Sequence, residues 1–430
     1  MTTPPLARCI AQLLCVAPYL AFSSPVENPP LPIAPAINQL GLDLYREQAK
    51  TSPGGNLLLS PYSIATALAM AYAGADGETR SEMQRVLHLP TDSAAAGMAF
   101  KALADQLDQL IAQSAKEVSF RRKNGGDATP IQLNVANRLF AQQGYDLRTT
   151  FKDEVQHWFA TTLEELDFKH DPAGARKIIN DWVAAQTHDK ILDLLPAGQP
   201  LPETRLALVN ALYLRAGWAE PFRESSTQPE SFHLTVSNNV DVPTMNTQGH
   251  LGYAKRDGYS VVTMPYLGLG LQFVLIVPDT PDGLAGVEKQ LTVETLAMCA
   301  SLDRRAVRLH LPKFKIEPPL LGLSGALQAL GLKTAFDLPK RSANFNRMAP
   351  RMPNDYLFIG EVFHKTWLAL DENGTEAAAA TAVVMLQSFG ISSRYEPPPV
   401  EVRADRPFLF AIQHVETGAC LFLGRVTDPR

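Results

Sequence analysis

Near the C-terminus lies a run of small residues, Asp371-Glu372-Asn373-Gly374-Thr375-Glu376 followed by Ala377, Ala378, Ala379, Ala380, Thr381, Ala382, Val383 and Val384. It restricts the possible folds more than any other stretch. Taken locally it has two solutions. A helix would use Thr375 as N-cap, place Glu376 in the first turn and propagate through the alanines. An extended segment would swivel at Gly374. The residues beyond favour extension: Thr381, Val383 and Val384 are β-branched, and Gly390, Pro397, Pro398 and Pro399 stop a helix soon after. Extended, Thr375, Ala377, Ala379, Thr381 and Val383 share one face, and all are small or β-branched. Such a segment can slide between two strands without overpacking a core. Its glycine and alanines prefer strands only weakly, so it need not lie in a sheet at rest. The run reads as a strand held in reserve. Were a sheet to open, about ten new ladder hydrogen bonds at roughly 1 kcal/mol each would drive its entry.

The chain of 430 residues allows two or three domains, or one large mixed one. A hydrophobic share of 46% with 19% charged residues is enough for a full core. Net charge is −5, and no basic run exceeds Arg121-Arg122-Lys123, which argues against a nucleic-acid surface. Those three read as a solvated loop. Cys9 and Cys15 fall in the leader; Cys299 and Cys420 have no ligand spacing and are expected as unpaired buried thiols. Without H-E-x-x-H or clustered histidines no metal is implied, and no cofactor is called for.

Arg8 precedes an apolar stretch over residues 9–22, and Ala21-Phe22-Ser23 suits signal cleavage. Residues 1–23 are therefore read as a signal peptide and 24–33 as a proline-rich linker. The stretch is too short, and too interrupted by Gln12 and Pro18, for a permanent bilayer span. Export to an extracellular or periplasmic space follows; a cytoplasmic tail is the alternative.

Periodicity predicts helices over 34–49, 64–74, 79–87, 100–120, 147–159, 173–186, 284–301 and 320–330. Ser60 with Pro61 starts the second as cap and first residue. Strands are predicted over 56–59, 131–140 (Leu133, Val135 and Leu139 on one side), 162–168, 206–214, within 232–278, and over 307–316, 357–370, 407–414 and 419–425. Helices and strands mix without βαβ regularity, which gives one α+β domain with large antiparallel sheets.

An enzyme finds little support. Gly322-Leu323-Ser324-Gly325-Ala326 approximates G-x-S-x-G but opens a helix without a tight strand turn. Gly268 and Gly270 lack the helix of a dinucleotide site.

Several blocks occur in a characteristic order: Leu59-Ser60-Pro61-Tyr62-Ser63-Ile64, Ile179-Asn180-Asp181-Trp182-Val183, Thr187-His188-Asp189-Lys190-Ile191, Leu208-Val209-Asn210-Ala211-Leu212-Tyr213, Leu311-Pro312-Lys313-Phe314 and Asp405-Arg406-Pro407-Phe408-Leu409-Phe410. Together with the small-residue run they resemble the serpins, the serine-protease inhibitor family, over residues 38–429. The resemblance implies a single serpin domain over 34–430 with three mainly antiparallel sheets, about nine helices and an exposed reactive-centre loop over about 373–400.

It also implies an irreversible suicide inhibitor, monomeric, whose partner is a serine protease held as a covalent acyl complex. Non-inhibitory members (carriers, chaperones or storage proteins) are the alternative. They often carry a charged or bulky residue at the position of Thr375, or prolines in the hinge; neither is present here. By motif, Gly374, Thr375, Glu376, Ala377, Ala378, Ala379, Ala380 and Thr381 resemble the hinge. Glu372, Lys313 and Trp218 resemble the breach where the loop enters the sheet. Ser60, Ser63, Asn210 and His364 resemble the shutter beneath the opening strands. The family's spacing places the scissile bond between Ser388 and Phe389, which favours elastase-, chymotrypsin- or subtilisin-like targets; Arg394 would demand an unusually long loop. Residues 392–399 are longer and richer in proline than the common pattern. Some members bind polyanions near the position of Arg121, Arg122 and Lys123.

Overall fold

The computed structural model describes residues 32–125, 128–376 and 397–430. The expected signal peptide, most of the linker, Ala377, Ala378, Ala379, Ala380, Thr381, Ser388, Phe389 and Arg394 lie outside them.

The helix Pro61–Gly74 is buried along its whole length, as a helix apolar on every side must be. The Ser60 hydroxyl accepts the Ser63 N–H at its start, and Pro61 occupies the first turn, where its missing N–H costs nothing. The helix Ala34–Thr51 crosses it so closely that a Cβ on Gly41 would meet the Pro61 ring at 2.5 Å.

The strand Leu206–Gly217 explains the layering. Leu206, Leu208, Leu212 and Leu214 enter the main core, which includes the helix Pro61–Gly74. Ala207, Val209 and Ala211 face a second core made with Ile179 and Val183 of the helix Pro172–Gln186 and with Ile191 and Leu194 beyond it. Covered on both faces, the strand is apolar at nearly every position instead of alternating, Asn210 and Arg215 being its polar members. It pairs antiparallel with Gln132–Gln142 and parallel with Ile359–Thr366.

Among the described residues there are nine α-helices, and the strands join into two networks. One has nine strands, including Leu57–Leu59, the long strand Asn238–Arg256, Arg304–Pro312 and Val400–Arg403. The other has two parts: the sheet around Leu206–Gly217, and Phe314–Ile316 with Leu368–Asp371, which meet where Gly374–Thr375 touches Leu206–Gly217. Among the described residues parallel pairing occurs at three places, and the other ladders are antiparallel. The α+β class with three mainly antiparallel sheets thus describes the molecule.

Several local expectations change. Arg121, Arg122 and Lys123 are not loop but the last turn of a helix running Ser93–Lys123, where cations face the negative end of the helix dipole. The helix predicted over 284–301 is two, Leu284–Gln290 and Val293–Cys299; Thr292 caps the second by accepting the Thr295 N–H and breaks the run. The segment 320–330 holds a two-residue strand, Leu321–Gly322, before the helix Ser324–Ala329, so a strand does precede Ser324. The Ser324 hydroxyl donates to the Glu361 carboxylate and accepts the Val362 N–H. Cys299 and Cys420 are free and buried; burial pushes the Cys299 thiol up to about 12. No helix among the described residues is long and apolar enough to cross a membrane.

Candidate functional site

The two strands that flank the small-residue run form a fork. From Ile359 opposite Leu206 to Thr366 opposite Leu212 they pair directly and in parallel. Above Thr366 they separate, and Gly374–Thr375 fills the gap: Gly374 lies opposite Gly217 and Asp371, Thr375 opposite Ala216 and Leu370, antiparallel on both sides. Gly374 and Thr375, at the head of the small-residue run, therefore lie in the sheet. Gly374 has φ +146°, and a Cβ there would lie 2.1 Å from the Ala216 carbonyl oxygen, so no other residue fits. Thr375 is buried, and its hydroxyl bonds that of Tyr266 at 2.5 Å. At Glu376 the φ becomes +45°, while its N–H still donates to the Ala369 carbonyl.

Glu376 is tied from outside the fork. Its carboxylate meets Lys190 Nζ at 2.9 Å, and that ammonium lies 4.7 Å from the Trp367 ring centroid. Glu376 Oε2 is buried without a hydrogen-bond partner. Burial, then the Glu376 carboxylate, pushes the Tyr213 hydroxyl up to about 12.

Trp218 covers the top of the fork. Its indole N–H donates to the Asp371 carbonyl and its backbone N–H to that of Asn373, both at 2.9 Å. Its ring stacks on Tyr266 at 4.7 Å. Beside it Lys313 pairs with Glu372 at 2.8 Å, and the Thr227 hydroxyl donates to the same carboxylate at 2.7 Å. Burial alone would raise the Glu372 pKa, but the bonds from Lys313 and Thr227 prevail and hold it below the ordinary glutamate range.

Ser60, Ser63, Asn210 and His364 share one buried network under the closed part of the seam. His364 stands opposite Asn210 in the parallel ladder, and its Nδ1 bonds the Asn210 side-chain oxygen. Its Nε2 accepts the Ser60 backbone N–H at 3.1 Å, so the ring is neutral with its proton on Nδ1. Complete burial lowers its pKa to about 3. Asn210 donates to the Phe363 carbonyl. Asn137 completes the network: it accepts from the Ser63 hydroxyl at 2.7 Å and donates to the Ser63 carbonyl at 3.0 Å.

Sequence reasoning missed Asn137, although it is the polar member of the row formed by Leu133, Val135 and Leu139, a signal that was legible. Tyr266 and Thr227 carried no signal, and Lys190 stood in one of the characteristic blocks without a role attached, because only folding brings these residues to the fork. Among the described residues no group of His, Cys, Asp or Glu could hold a metal.

Comparison with known proteins matches residues 35–429 to the family model of the serpins, serine protease inhibitors. The chain belongs to this family. A serpin-like protein of Thermococcus kodakarensis is 36% identical over 400 residues, covering 93% of this serpin and 86% of the relative. The leukocyte elastase inhibitor of Bos taurus is 34% identical over 406 residues, 92% of this serpin and 99% of the relative. Among solved structures, serpin48 of the insect Tenebrio molitor superposes with a TM-score of 0.76 at 28% identity, covering 93% of this serpin and 98% of that chain. Uncleaved ovalbumin gives 0.77 at 25%, covering 92% and 100%.

Proposed function

We propose that this serpin is an irreversible suicide-substrate inhibitor of a serine protease. The observation that carries the reading is the seat of Gly374 and Thr375 at the head of a parallel seam. Entry of Ala377, Ala379, Thr381 and Val383 behind Thr375 would exchange one parallel ladder for two antiparallel ones, the more stable kind per residue. Each added bond contributes about 1 kcal/mol. Such a strand must be small, because both faces of Leu206–Gly217 are already packed.

In this reading the protease serine attacks the Ser388 carbonyl carbon. The bond to Phe389 breaks, the new amine takes the proton, and an acyl ester joins the two proteins. The freed remainder of the hinge 374–381 then inserts behind the seated Gly374 and Thr375 and drags the protease along, which distorts its oxyanion hole before water can release it. Glu372, Lys313 and Trp218 guard the entrance; Ser60, Ser63, Asn210 and His364 exchange hydrogen bonds as the seam parts. A serine beside a phenylalanine suits elastase-, chymotrypsin- and subtilisin-like targets, and one relative bears the name leukocyte elastase inhibitor.

The test is incubation with a panel of such proteases, a denaturing gel, and mass spectrometry of the released C-terminal peptide. A gel-stable adduct with a new N-terminus at Phe389 is expected. Cleavage without any adduct would sink the inhibitor reading and assign a carrier, chaperone or storage role.

A further inference from the structure

The chain holds two Asn-Gly steps, Asn124-Gly125 and Asn373-Gly374. Such a step is open to self-modification, because a glycine nitrogen has no side chain beside it to hinder attack on the asparagine carboxamide.

The second step sits at the hinge. Leu368–Asp371 and Gly374–Thr375 form a tight hairpin, Asp371 opposite Gly374, with Glu372 and Asn373 as its turn. The Asn373 N–H donates to Asp371 Oδ1 at 2.8 Å, and the Gly374 N–H bonds the same carboxylate. A base thus rests on the proton that the Gly374 nitrogen must lose to become a nucleophile. Burial above all, with the Glu372 charge adding, holds the Asp371 pKa above the ordinary carboxylate range, which makes it a stronger base. The Asn373 side chain is half-buried and makes no hydrogen bond among the described residues, so its carboxamide can turn toward that nitrogen.

Asn124 is held differently. Its Nδ2 donates to the Phe120 carbonyl at 2.9 Å, and the Gly125 N–H donates to the Arg122 carbonyl at 3.2 Å, an acceptor that is no base.

We propose that Asn373 is a self-modification site that unseats the hinge with age. Asp371 takes the Gly374 N–H proton, the nitrogen bonds to Asn373 Cγ, and the Cγ–Nδ2 bond breaks, the departing nitrogen taking up a proton to leave as ammonia. Water then opens the cyclic imide, at Cγ to give aspartate or at the Asn373 main-chain carbonyl to give isoaspartate. Either product puts a third carboxylate beside Asp371 and Glu372. Isoaspartate also adds a methylene to the main chain just before Gly374, and moves off it the carbonyl that accepts the Trp218 N–H at 2.9 Å. The seat has no slack for this, since even a Cβ on Gly374 would lie 2.1 Å from the Ala216 carbonyl oxygen. The chemistry stands on the hairpin alone; its effect on protease trapping rests on the inhibitor reading.

The experiment ages the full chain near neutral pH at a fixed temperature below melting. Conversion is read by peptide mass spectrometry, and isoaspartate by enzymatic methyl transfer from labelled S-adenosylmethionine. Parent, Asn373→Gln and Asp371→Asn are compared, with Asn124 as the reference within each chain. Conversion at residue 373 is expected in the parent, absent in Asn373→Gln, and at least about threefold slower in Asp371→Asn, with the rate at Asn124 equal in all three. No conversion at Asn373 in the parent overturns the site, and an undiminished rate in Asp371→Asn overturns Asp371 as the base. Where Asp371→Asn does not fold, the parent and Asn373→Gln still decide the site. The melting temperature of the parent should fall in step with conversion while that of Asn373→Gln, aged alongside, holds. Equal melting curves overturn the unseating. A protease trapped by fresh protein is then offered to aged protein; an unchanged ratio of adduct to cleaved product overturns the effect on trapping. Fresh protein that traps no protease removes the inhibitor reading, and the peptide masses decide the site by themselves.

Discussion

Lys190 holds the Glu376 carboxylate at 2.9 Å, tying the residue at the exit of the seated hinge to the segment that follows the helix Pro172–Gln186. That segment packs over the seam, so a strand entering below Thr375 must displace it or release the pair. Lys190→Ala should weaken the uncleaved protein by about 1 kcal/mol, a modest value because the ammonium is partly solvated. With Glu376→Gln it forms a double-mutant cycle in urea unfolding. The two effects should be non-additive; strict additivity would show the pair to be uncoupled.

Thr375→Arg addresses insertion directly. Thr375 is 1% exposed and faces the Tyr266 hydroxyl, so a guanidinium there would be buried unpaired at a cost of several kcal/mol. The variant should be cleaved by the target protease without forming an adduct. Retained one-to-one inhibition, read from a titration of residual protease activity, would refute entry of the hinge.

Gly374→Ala should unseat the hinge without adding charge. The new methyl group meets the Ala216 carbonyl at 2.1 Å on a backbone with φ +146°. A loss of at least about 1 to 3 kcal/mol is expected from thermal or urea unfolding. Unaltered stability would mean that the seat contributes nothing.

His364 makes stability pH-dependent. Its folded pKa, about 3, lies below the ordinary 6.5, so in that interval the unfolded chain binds the extra proton. Its contribution is complete above about 6.5 and is lost as the pH falls toward 3, with a limiting slope of about 1.4 kcal/mol per pH unit. Between pH 7 and pH 4 the stability gap between the parent and His364→Gln should therefore narrow. A gap independent of pH would show that His364 is not the titrating group.

Cutting the loop between Gln387 and Gly390 with a protease that is not trapped should raise the melting temperature well above that of the intact chain. The closed parallel seam would be replaced by two antiparallel ladders. Calorimetry before and after the cut decides it, and an unchanged value would end the insertion model.

Of the run Gly374 to Val384 only Gly374, Thr375 and Glu376 are described, and the first two do lie in a strand, while the capped, largely apolar stretch after Ser60 announced a buried helix. These were legible because small size, periodicity and capping are local properties that each residue carries. The resemblance supplied the meeting of Lys313 with Glu372 and of Asn210 with His364, which no local rule could give. The fork itself, with a parallel seam below and two seated residues above, exists only through strand register. Register is set by side-chain packing and hydrogen bonding between segments far apart in the chain, and their partners are fixed only when the whole core closes.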